Sequence, residues 1–278
     1  MVLAKQLLIA LTCLSALLGA APGESQIAGK PRIGATLMIN EAGSWRQLQQ
    51  GIDFRKIVLE RAEPNYPVEL KLARFDIKAI MPRILQSADF QLKGASAKVF
   101  AQSSGALASI NASYFDDKGR PLAYLKSAEK EINRAVSKHP LYTGIFAIRE
   151  AAPVVMHRDE FLPAQANEAL QSGPLLLNHG NTVEIVSGLG RLARRSVIGI
   201  DKDGRVIIAV TDAVIGGLSF AELQELFSNP KWRLETPDLL NLDGGGSAQL
   251  YLKAGKFQEW IAGTVEVPVA IGFFAKPN

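Results

Sequence analysis

Apolar residues in this chain arrive in many short runs broken by turns, and only a few stretches carry a helical period. Residues 68–80 alternate apolar and polar positions. Val68, Leu70 and Leu72 share one face, and Phe75, Ile77 and Ala79 follow after a slip, which predicts a half-buried strand or a bulged hairpin arm. Further strands are expected at 56–60, 106–112, 144–149, 153–157, 175–177, 183–186, 195–200, 205–211, 239–242, 248–253 and 267–274. The run Asp201-Lys202-Asp203-Gly204 is a hairpin signal between two of them. Short helices are expected at 95–104 and 164–171. The clearest helix spans 219–227. There Ser219 and Glu222 form a capping box, Phe220, Leu223, Leu226 and Phe227 make one apolar face, and Asn229-Pro230 stops it. With no internal repeat and no low-complexity block, the pattern predicts an α+β fold. It is a single domain dominated by mixed or antiparallel sheet with a few flanking helices.

The N-terminus has its own signature. Lys5 precedes an apolar stretch from Leu7 to Leu18, and Gly19, Ala20 and Ala21 follow. That order matches a secretory signal peptide, and the stretch falls short of the ~20 residues that span a bilayer. The expected division is therefore a signal peptide at 1–21, a turn-rich tether at 22–43 and the folded domain at 44–278. The mature protein is then exported to a bacterial periplasm or the extracellular space, with no stable membrane span. Cys13 is the one cysteine and lies in the leader, so disulfides and thiolate chemistry are absent from the mature chain. The 31 basic and 27 acidic residues give +4, or +3 without Lys5, and no Lys/Arg block focuses the charge. Nucleic acid is therefore not an expected partner.

Two strand ends carry polar residues suited to chemistry. The first is Asn241-Leu242-Asp243-Gly244-Gly245-Gly246-Ser247. Three glycines allow main chain to approach a ligand closely, and successive amides can form an anion-binding nest flanked by Asp243 and Ser247. The spacing fits neither a Walker loop nor a G-x-S-x-G elbow. The second is Asn111-Ala112-Ser113-Tyr114-Phe115-Asp116, where Asn111 and Tyr114 can orient sugar hydroxyls or phosphate oxygens and Asp116 is ionisable. Ser172-Gly173 forms a turn, Arg195 at a strand start can clamp a phosphate, and Asp212 ends the next strand. His139, His157 and His179 have no partner at metal-ligand spacing, so neither a metal nor another cofactor is expected.

These pieces, in this order, resemble the phosphodiester glycosidase family: ALASINASYFD at 106–116, SGPLLL at 172–177, RRSVIGIDKDGRVIIAVTDA at 194–213 and NLDGGGSAQLYL at 241–252. The resemblance implies a hydrolase that splits a glycosyl phosphodiester at the anomeric carbon. Its substrate is a sugar phosphate or polysaccharide, in envelope or exopolysaccharide metabolism. Arg195 and the Gly244–Gly246 amides would then hold phosphate, Asp243 or Asp212 would work at the anomeric carbon, and Asn111 and Tyr114 would position the sugar. Ala112-Ser113 and Ala213 stand where the family often has glycine, which bears on sugar specificity. Two other classes stay open on the residues alone. One is a non-catalytic carbohydrate-binding or polymer-assembly protein, and the other a metal-dependent phosphodiesterase cutting at phosphorus.

Overall fold

The computed structural model describes residues 32–33, 37–62, 66–150 and 152–277, so the expected leader and its cleavage point lie outside the described residues. Every strand pair is antiparallel. A 10-stranded sheet carries, side by side, Ile52–Arg61, Tyr66–Phe75, Val206–Asp212, Ser196–Ile200, Asp238–Asn241 and Leu175–Asn178. A 5-stranded sheet runs Phe257–Ile261, Leu250–Ala254, Ala108–Asn111, Val269–Ala275, Ile80–Gln86. The third, also 5-stranded, runs Ala152–His157, Gly144–Arg149, Glu168–Ser172, Leu125–Ser127, Lys130–Asn133. The described residues form only two α-helices, α1 (Ala97–Ser104) and α2 (Phe220–Ser228). The fold is therefore mostly antiparallel β and poorer in helix than an α+β reading implies.

One hydrophobic cluster draws on all three sheets, including Phe75, Ile208 and Leu240 from the large one, Ile110 and Phe273 from the second, and Phe146 and Leu170 from the third. The Phe75 and Phe273 rings stack at 4.0 Å, tying the first two sheets together. The other face of the large sheet is covered by α2, whose Leu223, Leu226 and Phe227 pack on Ile57, Leu70, Val197 and Ile207. Strands in the middle are thus buried on both faces, which is why they read as continuous apolar runs.

The slip in the 68–80 alternation has a different origin from a bulge. Tyr66–Phe75 pairs with Ile52–Arg61 in unbroken register, from Ile52↔Phe75 to Arg61↔Tyr66. What changes is the buried face. Val68, Leu70 and Leu72 lie under α2, whereas Ala73 and Phe75 point into the core shared by the three sheets. The strand then ends, and Ile80–Gln86 begins after a turn in which Ile80 and Ala79 amides bond the Asp76 carbonyl at 2.9 and 3.0 Å.

Other expectations change in the same way. Residues 164–171 are not a helix: Pro163–Gln165 makes one 3-10 turn and Glu168–Ser172 is a strand pairing with Gly144–Arg149. The Ala-Leu-Gln run has helical propensity, but burial between two strands overrides it. Residues 183–186 do not form a strand. The strand there is only Asn181–Thr182. Within the expected tether, Leu37–Glu41 is a strand of the large sheet with Leu37 fully buried, paired to Ile52–Arg61. Phe257–Ile261, with no clear period of its own, forms a hairpin with Leu250–Ala254. No helix among the described residues is long and apolar enough to cross a membrane.

The capping box of α2 is present, and it does a second job. The Ser219 hydroxyl accepts from the Glu222 amide while Glu222 accepts from the Ser219 amide, and Glu222 also pairs with the buried Arg61 at 2.9 Å. Ser219→Ala should therefore cost about 1 kcal/mol. Glu222→Ala should cost more, about 2–3 kcal/mol, because it also removes a carboxylate that pairs with the buried Arg61. Urea unfolding of the two variants checks the difference.

Candidate active site

The site lies where the three sheets meet at their strand ends. Ala108–Asn111 arrives from the second sheet, Asp238–Asn241 and the start of Ser196–Ile200 from the large one, and the Gly173-Pro174 turn from the third. Asn111 is fully buried and joins three of these segments. Its Nδ2 donates to the Asp243 carbonyl at 2.6 Å, and its Oδ1 accepts from Ser196 Oγ at 2.7 Å and the Gln249 amide at 3.1 Å. These bonds make Asn111 part of the frame that holds Asp243 in place. Asn241, also fully buried, plays a parallel part. Its Nδ2 donates to the Gly173 carbonyl at 2.8 Å and to Tyr114 Oη at 3.2 Å. Tyr114 Oη in turn donates to the same carbonyl at 3.0 Å. Gly173 is required there, since a Cβ would stand 1.9 Å from the Leu141 carbonyl oxygen.

The glycine run turns the chain directly over Arg195. A Cβ on Gly244 would lie 2.8 Å from the Arg194 carbonyl oxygen and 3.9 Å from Arg195 Cδ, and Gly245 adopts a φ of +60°. Its amides are only partly committed. Gly245 N–H donates to the Arg194 carbonyl at 2.8 Å and Ser247 N–H to the Gly244 carbonyl at 3.2 Å, while the Gly246 N–H meets no acceptor among the described residues. The run therefore packs against Arg194 and Arg195 and keeps an amide available next to Asp243.

Asp243 is the chemically distinctive group. Burial pushes its carboxyl up to about 6, and hydrogen bonds from Ser247 and the Gly244 amide only partly offset this. Arg195 is its counterpart. Its Nε donates to the Leu218 carbonyl at 3.0 Å, its Nη2 to the Arg191 carbonyl at 2.6 Å, and its guanidinium stacks 3.8 Å over the Phe220 ring. Among the described residues no carboxylate pairs with it and Nη1 has no protein partner. Burial draws its pKa down to about 10. A buried cation held only by neutral dipoles is suited to an incoming anion.

Two phenols complete the wall. Burial, then the Asp243 charge, raises the Tyr114 hydroxyl above its ordinary value, and Tyr142 is raised by the same two causes in the same order. The two rings lie 5.3 Å apart, and His139 lies 5.0 Å from Tyr142. Tyr142 sits in a loop with no motif or period, so nothing in the sequence pointed to it.

Three expected members fall differently. Asp212 is bound away from the site: Lys71 Nζ lies 2.7 Å from it and 2.9 Å from Glu259. Strand alternation explains the separation, because Thr211 faces Arg195, whose amide donates to Thr211 Oγ1 at 2.6 Å, and Asp212 points to the opposite face. Asp116 closes its own turn, accepting from the Lys118 and Arg120 amides at 2.9 and 2.8 Å, and lines a separate groove of about 820 Å³. Ser172 is fully buried behind Gly173 and its Oγ has no partner. No group of three His, Cys, Asp or Glu side chains among the described residues is placed to hold a metal ion.

The sequence model of the phosphodiester glycosidase family matches residues 104–274, more than half of the chain and all the segments that build this site. The chain belongs to the phosphodiester glycosidase family. Among solved structures, this family member is similar to the catalytic domain of zebrafish N-acetylglucosamine-1-phosphodiester alpha-N-acetylglucosaminidase auto-inhibited by its pro-peptide. That match has a TM-score of 0.64 and 14% identity, covering 87% of this chain and 89% of that one. A hypothetical protein from Synechocystis matches with a TM-score of 0.65 and 15% identity over 84% of this chain and 64% of that one. A protein from Burkholderia pseudomallei K96243 matches with a TM-score of 0.51 and 11% identity over 75% and 74%. At these identities the likeness establishes the fold. No curated protein matches the chain.

The raised Asp243 carboxyl carries a stability consequence. An acid whose folded pKa is raised from 3.8 to about 6 favours the folded state while protonated and opposes it once ionised, so stability falls as pH rises through that window. Asp243→Asn should therefore stabilise the protein by up to ~2 kcal/mol at pH 7 and much less at pH 4. Denaturant midpoints of the two proteins at each pH check the sign.

Proposed function

We propose that this protein is an exported hydrolase that splits a glycosyl phosphodiester at the anomeric carbon, in envelope or exopolysaccharide metabolism. The observation that carries the reading is a partly buried carboxyl, Asp243, held above its ordinary value by desolvation, and a buried cation without a carboxylate partner, Arg195, both of which act on the Tyr114 phenol. Family membership and the activity named for the zebrafish neighbour support it. The bond to be broken joins the anomeric carbon to a phosphate oxygen. Water's oxygen takes the place of that oxygen, its proton passes to base, and the bonding electrons leave with the phosphate monoester. Such a phosphate, with a second pKa of about 6, departs without a general acid. Arg195 Nη1 meets the charge that grows on it. Ionised Asp243 acts at the carbon, either by taking the water proton or by attacking first and being released by water. Tyr114 and Tyr142 form the wall against which the sugar rests.

Both routes need the carboxylate, so kcat/KM for a methylphosphoryl glycoside should rise with pH to a plateau, with its acid limb near 6. Asp243→Asn should lower kcat by about 1,000-fold or more, and Arg195→Lys by about 10-fold to 100-fold, with chelator leaving wild-type turnover unchanged. Measurement of free sugar released by the purified protein checks all three. Turnover that survives intact in Asp243→Asn overturns the assignment, and loss of turnover with chelator favours a metal-dependent cut at phosphorus.

A further inference from the structure

The loop that carries Tyr142, residues 134–143, belongs to no strand or helix. Side chains from the third sheet and its connections take up its backbone groups instead. Gln171, fully buried in the strand Glu168–Ser172, does most of this. Its Oε1 accepts from the Ser137 N–H at 2.7 Å and from the Tyr124 N–H at 3.3 Å. Its Nε2 donates to the Ser137 carbonyl at 2.8 Å and to the Tyr142 carbonyl at 2.7 Å. The carboxamide is saturated, and it pairs with Ser137 as the peptide group of a neighbouring strand would. Arg158 Nη1 adds bonds to the His139 carbonyl at 2.7 Å and to the Ser137 and Tyr142 carbonyls, each at 3.3 Å. Two residues after Gln171, the Gly173 carbonyl accepts from Tyr114 Oη. One strand end therefore sets both phenols: Gly173 holds the Tyr114 hydroxyl, and Gln171 holds the backbone of Tyr142, whose ring lies 5.3 Å from that of Tyr114.

We propose that Gln171 is a positioning residue for substrate binding: it fixes Tyr142 against Tyr114 and so shapes the sugar wall without touching the sugar. The inference rests on the hydrolase reading above for what the wall binds, and on the hydrogen bonds for where Tyr142 stands. Any shift of the loop leaves buried donors and acceptors of Gln171 without partners, so the loop is held by the cost of that alternative. The bonds require this residue type. Glutamate would meet two carbonyls with no donor, and asparagine is one methylene too short. A wall that meets the sugar equally in the ground state and the transition state sets KM rather than kcat, so the loss of Gln171 should fall on KM.

Gln171→Met keeps the length of the side chain and removes all four bonds. KM for a methylphosphoryl glycoside should rise about tenfold while kcat stays within about threefold. In a Tyr142→Ala background the same substitution should change KM by less than about twofold, because Gln171 acts through Tyr142. A fall in kcat with KM unchanged overturns the proposal, and so do effects of the two substitutions that multiply. NMR reads the position without turnover. Cross-relaxation between the Tyr114 and Tyr142 ring protons should be present in the wild type and lost in Gln171→Met. The Phe75–Phe273 signal should persist in both and show that the sheets still pack. Retention of the Tyr114–Tyr142 signal in the variant sinks the idea. If Gln171→Met does not fold, Gln171→Glu serves in its place: it keeps the contacts with the two amides and loses the donors to the two carbonyls. The same signal should then weaken, and an undiminished one counts against the proposal. Should no glycoside be hydrolysed, the hydrolase reading fails separately, and the NMR comparison still decides whether Gln171 places Tyr142.

Discussion

The site depends on one buried carboxamide. Asn111 spends its donor on the Asp243 carbonyl and its acceptor on Ser196 and Gln249, so a strand of one sheet fixes the start of a strand in another and both ends of the glycine run. A buried hydrogen bond adds only about 1 kcal/mol net, yet leaving such a group unpaired costs about 1–3 kcal/mol. Alternative placements of Asp243 would leave the fully buried Asn111 amide without an acceptor. Positional precision here comes from the cost of the unsatisfied alternative rather than from the strength of the bonds made.

That frame lets two opposite charges, Asp243 and Arg195, act on one phenol, Tyr114, without pairing with each other. Had Asp243 formed a salt bridge with Arg195, its carboxyl would be pulled below the usual range and the cation would be neutralised before any ligand arrived. Instead, Arg195 leans on two carbonyls and an aromatic ring, and Asp243 accepts from a hydroxyl and an amide. Both groups pay in desolvation, and both remain available.

The clusters at strand ends were legible because strands of a sheet bring buried apolar runs to a common edge, where polar residues and glycines stand out. Asp243, Arg195, Tyr114 and Gly173 come together on that basis. Asp212 and Asp116 had the same signature and do not join them, because alternation sends Asp212 to the face of Lys71 and a tight turn consumes Asp116. Tyr142 was invisible for the opposite reason: its place is set by ring contact with Tyr114, to which the local sequence gives no clue.

The order of apolar runs, the turns and the capping box were determined by the chain itself, since each depends on residues within a few positions of one another. The family motifs belong with them, as fixed residue types at fixed spacing. Tertiary structure decided which face of each strand is buried, why the alternation slips at Leu72 and Ala73 without a bulge, and why residues 164–171 leave helix for sheet. It also decided that the glycine run packs against Arg194 and Arg195, with the Gly245 amide spent on the Arg194 carbonyl. Those outcomes depend on partners far away in sequence, and only packing brings such partners into reach.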